Sequence, residues 1–148
     1  MIELVATATI TLSSAGLFVY WFRYTCLLIL STKAARDYTV AVALANQLQV
    51  LEVQAALPEA SSADLQRLHQ LLERDYKVLS HLFRSGSSGE RDLEERMLGL
   101  YYRVMAATYG ASRGFSESFA RKALEEMSLV VAHFANALGE RAVAGAAA

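Results

Sequence analysis

Residues 4–22 read LVATATITLSSAGLFVYWF, 19 consecutive positions without a formal charge. As a helix rising 1.5 Å per residue, such a stretch spans about 28 Å, close to the ~30 Å hydrocarbon thickness of a bilayer. It closes on Tyr20, Trp21 and Phe22, and Arg23 and Tyr24 follow directly. Each of these five side chains pairs an apolar body with a polar tip or belongs to an aromatic girdle, which a headgroup boundary favours. They are the expected membrane-interface residues. Lys33 and Arg36 lie on the same side of the segment, against Glu3 on the other. The positive-inside bias therefore places the beginning of the chain outside and the remainder in the cytoplasm.

Three other placements compete with this one. A cleaved signal peptide calls for basic residues before the apolar run and small residues after it, and here the first charge is acidic and the run ends in bulky rings. A span shifted toward Leu30 would set Arg23 near mid-membrane, at a cost of about 2.5–3.5 kcal/mol. A soluble homo-oligomer or filament would instead bury the first helix between subunits, and Thr7, Thr9, Thr11, Ser13 and Ser14 make the run less oily than a Leu-rich span. Those hydroxyls can bond back to helix carbonyls, so they are compatible with lipid. Ala6, Thr9, Ser13 and Gly16 recur at steps of three, four and three. They form a narrow stripe of the kind that lets membrane helices approach closely, and point to other membrane-protein helices or self-association as partners.

The rest of the chain is different. Up to Thr32 only Glu3 and Arg23 are charged, whereas from Ser61 onward Glu, Asp and Arg alternate at ordinary soluble density. In all, 148 residues carry 14 basic and 15 acidic side chains, with 54% apolar content and a single cysteine. That balance excludes a disordered chain and a disulfide scaffold, and provides no basic field for nucleic acid. Arginine far outnumbers lysine, which occurs at 33, 77 and 122 alone, and alanine is abundant. The composition suits a GC-rich genome and hence a bacterial inner membrane.

Apolar residues continue at helical steps through Leu27, Leu30, Ala34, Tyr38, Ala41, Leu44, Leu48, Leu51 and Ala55, with no Gly or Pro after Gly16 until Pro58. One helix over residues 4–57 would be roughly 80 Å long. Ser61 and Asp64 resemble a capping box opening a second helix to about residue 84, with Leu65, Leu68, Leu72, Tyr76, Leu79 and Phe83 on its seam. Ser87 and Glu90 suggest another box after the Ser-Gly-Ser-Ser-Gly break at 85–89. A third helix over about 90–109 has Leu93, Met97, Leu100 and Val104 as its seam. A fourth, over about 116–138, carries Phe119, Ala123, Met127, Val130, Phe134 and Leu138 and stops at Gly139. The expected fold is all-α: a long N-terminal helix, its first half (4–22) spanning the membrane, continues into an antiparallel, roughly four-helix cytoplasmic bundle over 24–139. Residues 140–148 read as a flexible tail.

Catalytic signals are absent. There is no Gly-x-Ser-x-Gly elbow, no phosphate-cradling loop and no Glu-x-x-His pair. His81 falls opposite its seam. His69 and His133 sit on seam flanks, where two helices facing one another would let them hold haem or a metal. With no His three or four residues from another His and no Glu-x-x-His motif, they read as boundary histidines. Cys26, among Leu27, Leu28 and Ile29, reads as a small apolar residue, with juxtamembrane palmitoylation as the alternative. The acidic run Glu90, Asp92, Glu94 and Glu95 reads as favourable charge in a first helical turn. The sequence thus predicts a membrane-anchored helical scaffold, adaptor or accessory subunit that is not an enzyme, without cofactor, metal or evident small-molecule substrate. The alternatives are the soluble oligomer and a small haem- or metal-binding helical protein using His69 and His133.

Overall fold

The computed structural model describes residues 1–32, 34–86 and 92–148. Their regular structure is entirely helical: α1 (Ile2–Ser31), α2 (Thr39–Asn46), α3 (Val50–Ala56), a 3-10 turn (Leu57–Glu59), α4 (Ser62–Ser85), α5 (Asp92–Ser112) and α6 (Glu117–Ala147). The chain divides into two compact units, Met1–Lys33 and Ala34–Ala148. The first is the long N-terminal helix. The second is the bundle.

The expected continuous helix over 4–57 is not formed. Helix α1 ends at Ser31, where Thr32 turns to extended backbone (ψ 119°). The Ser31 and Thr32 hydroxyls both donate to the Leu28 carbonyl, giving the last turn an alternative to further backbone bonding. Asp37 then accepts the Thr39 amide at 2.9 Å and starts α2 afresh. A second break falls at Gln47, which adopts a left-handed conformation (φ 54°) while the Leu48 amide reaches back to the Ala43 carbonyl at 2.8 Å. The wall of the bundle assigned to a projecting first helix is therefore built by two short helices, with Ala43, Leu48, Val50, Val53 and Leu57 buried. Leu44 and Leu51 of the expected stripe are exposed.

Helix α4 follows its sequence signals. The Ser61–Asp64 capping box is present in both directions, and Leu65, Leu68, Leu72, Leu79 and Phe83 are buried. The Ser87–Glu90 box lies outside the described residues. In α5 the expected seam is out of phase. Leu93, Leu100 and Val104 are exposed, and the buried face is Leu98, Tyr101, Tyr102, Met105 and Tyr109. Both rows have helical spacing, and the aromatic one prevails because each ring removes more apolar area from water. One of these hydroxyls also finds a partner, Tyr101 donating to Glu126 at 2.5 Å. Phe119 of the fourth expected seam is likewise exposed, while Ala123, Met127, Val130 and Phe134 are buried.

Helix α6 is the hub of the bundle, packing against α2, α3, α4 and α5. Its buried residues face several directions, including Ala120, Leu124, Val131 and Ala135. It continues through Gly139 to Ala147, beyond the stop expected there. Alanine's high helix propensity carries the final turns. Gly139 is buried because Tyr38 crosses α6 at that point. The cross-helix pairs Glu94–His133 and Tyr101–Glu126 run in opposite numerical order on α5 and α6, so these helices are antiparallel. His69–Tyr109 and Tyr76–Tyr102 establish the same for α4 and α5.

A buried carboxylate joins α4 to α3. Asp75 Oδ2 accepts the Gln49 amide at 2.7 Å, so it caps the start of α3 from another helix. Burial holds the Asp75 carboxyl above its ordinary value, against the pull of the Gln49 and Val50 amides and Arg74. The charged form is thus the penalised one, and this group's contribution to stability grows as pH falls through its folded pKa toward the unfolded value near about 4. Asp75→Asn keeps an acceptor without the charge. It is expected to equal or exceed the parent at pH 7 and to flatten this pH dependence. Asp75→Ala is expected to lose about 1–3 kcal/mol, since it strands the Gln49 amide. Denaturant titrations of both variants at pH 5 and 7 check this.

Candidate functional site

Two features of the surface bear on function. The first is α1. Leu4 (75% exposed), Leu12 (72%) and Phe18 (71%) stand open, and no residue of its apolar window is buried. It is long and apolar enough to cross a membrane. The threonine hydroxyls are satisfied within the helix: Thr7, Thr9 and Thr11 each donate to the carbonyl four residues earlier at 2.8 Å, and Thr25 donates to Trp21 at 2.9 Å. Bonded in this way, they present mostly methyl groups to the surroundings, which lowers their cost in hydrocarbon.

The expected interface residues gather at one level. Tyr20 stacks with Tyr24 (centroids 6.4 Å apart), and Trp21 meets Tyr24 edge-on at 5.9 Å. Tyr20, Trp21, Arg23 and Tyr24 are exposed and Phe22 is half-buried. The small-residue positions Ala6, Thr9, Ser13 and Gly16 are exposed as well, and a Cβ added to Gly16 would meet nothing within 4 Å. Cys26 is a free, buried thiol.

The second feature is a groove of about 540 Å³ between α4 and α5 with α6 as its floor. Tyr76, Ser80 and Arg84 line it from α4, and Arg96, Gly99 and Arg103 from α5, over a base of Phe83 and Phe134. The Tyr76 ring lies flat against Tyr102, with centroids 3.9 Å apart and planes 5° from parallel. Glu95 also lines the groove and is paired with Arg141, whose guanidinium sits 4.6 Å above the Phe83 ring.

No family model, curated protein or solved structure matches the chain.

The two candidate histidines are engaged separately. His69 stacks on Tyr109 with centroids 4.5 Å apart, and burial holds its pKa below the ordinary value despite Glu73. His133 Nε2 bonds to Glu94 at 2.9 Å. Among the described residues no three His, Cys, Asp or Glu side chains gather as a metal site. His81 is exposed. The groove was not legible in the sequence as a site. Its signal is a polar row at Tyr76, Ser80 and Arg84 (steps of four) and another at Arg96, Gly99 and Arg103 (steps of three and four). Each lies along one helical face, but only the packing of α4 and α5 on α6 sets the rows opposite one another.

Proposed function

We propose that this protein is a single-pass, membrane-anchored helical scaffold or accessory subunit of a membrane protein assembly, with no catalysis of its own. One observation carries the proposal: the apolar surface of α1 is uncovered over residues 2–21. Each large apolar side chain left in water forgoes about 1.5–3 kcal/mol, so a helix with this surface is stable only inside another apolar medium. Lipid fits that medium best. The apolar stretch matches a bilayer in length, its threonine hydroxyls at 7, 9 and 11 are bonded internally, and aromatic rings with Arg23 collect at one end.

In this reading the bundle of α2–α6 lies in the cytoplasm, on the side of Arg23, Lys33 and Arg36, in a bacterial inner membrane. Ala6, Thr9, Ser13 and Gly16 receive a partner helix. A single span does not enclose a pathway, which favours a scaffolding or accessory role over transport. Alkaline carbonate extraction of membranes containing the full chain tests the anchor. The protein is expected to stay in the pellet. Release into the supernatant, or assembly without detergent with residues 4–22 covered by neighbouring copies, would replace the anchor by an intersubunit core.

A further inference from the structure

We propose that the groove between α4 and α5 is a binding site for a phosphomonoester attached to an apolar or aromatic body. Its two walls carry donors in facing rows: the hydroxyls of Tyr76 and Ser80 with the Arg84 guanidinium on one side, and Arg96 and Arg103 on the other. Among the described residues, neither Arg84 nor Arg103 forms an ion pair, and the Tyr76 and Ser80 hydroxyls form no hydrogen bond. The carboxylate that also lines the groove, Glu95, is already paired with Arg141. Two uncommitted guanidinia match the charge of a phosphomonoester, about −1.5 to −2 at neutral pH, and their planar forks suit its oxygens.

The floor is built for the rest of such a molecule. Phe83 and Phe134 meet edge to face (centroids 5.3 Å apart) and leave an apolar base, and Leu100 adds to the wall. Gly99 sits between the two α5 arginines. A Cβ there would come within 3.0 Å of the Tyr76 hydroxyl, so glycine keeps the hollow open where that hydroxyl enters. Tyr102 clamps the Tyr76 ring from behind and holds the hydroxyl in place before any ligand arrives. The volume falls within the ~300–1,000 Å³ range of small-molecule sites.

The phosphomonoester has two sources, a soluble metabolite or a lipid headgroup, and the test separates them. The full chain in nanodiscs of neutral lipid is titrated with phenyl phosphate. In a second arm it is placed in nanodiscs containing phosphatidic acid. Amide shifts are followed by NMR in both. Saturable binding below about 1 mM, with shifts at 76–84 and 96–103, is expected in at least one arm. Arg84→Gln/Arg103→Gln, changes at exposed positions, is expected to weaken it by about tenfold or more. Gly99→Val closes the hollow and should abolish it. Shifts elsewhere, phenol binding as tightly as phenyl phosphate, unchanged affinity in the double variant, or no saturation in either arm would each overturn the assignment.

Discussion

Replacing Gly139 with alanine is expected to destabilise the bundle by about 2–3 kcal/mol, although the same change within a helix ordinarily stabilises by up to about 1 kcal/mol. The added Cβ would lie 2.3 Å from Tyr38 Cβ and 3.1 Å from Val42 Cγ2. Helix α2 cannot easily retreat. Its N-terminus is pinned to α6 by the Tyr38 amide, which donates to Asn136 Oδ1 at 2.6 Å. Tyr38→Ala should not rescue the variant, because the clash is with the Tyr38 Cβ itself, whereas Tyr38→Gly should recover part of the loss. Gly110→Ala provides the contrast. Nothing lies within 4 Å of its missing side chain, so this exposed α5 position should follow helix propensity and gain stability. Thermal or urea unfolding followed by circular dichroism measures both signs.

The second large effect belongs to α1. Leu12 is exposed near the middle of residues 4–22. Exchanging leucine for arginine at a membrane centre costs about 3–4 kcal/mol on insertion scales, a factor of a few hundred in partitioning. Leu12→Arg is therefore expected to lose most of the membrane-integrated protein. Leu28→Arg, beyond the aromatic girdle, is expected to change little. If the span were shifted toward Leu30, with Arg23 near its middle, the two variants would exchange behaviour. Quantitative fractionation of the two variants distinguishes these frames.

How much of this was legible in advance depended on whether a local pattern had a competitor. Helix α4 had none: one capping box and one apolar row lead to one helix with the expected face inward. Helix α5 carried two rows, and the choice between Leu93, Leu100 and Val104 and the row with Tyr101, Tyr102 and Tyr109 depends on what α4 and α6 present to it. The break after Ser31 contains neither Gly nor Pro. Only Asp37, two residues before Thr39, signals a new helix start. Gln47 adopts a backbone usually left to glycine, so nothing in its identity marked the turn. Gly139 sent the opposite message, a stop signal that is instead a close approach. Asp75 and Glu126 could have been found, since each falls on its helix's buried seam, at Leu72+3 and Ala123+3. A carboxylate on a seam signals a capping or hydrogen-bonding task inside the core, here α3 and Tyr101 respectively.

Trp21 is the chain's one tryptophan and lies at the proposed lipid–water boundary. Its fluorescence in liposomes therefore reports on α1 alone. With lipids brominated at different depths along their chains, the account predicts blue-shifted emission, strongest quenching by bromines near the headgroups and weak quenching by those at the bilayer centre. Emission typical of water with no quenching at any depth, or quenching greatest at the centre, would contradict a span that ends at residues 20–24.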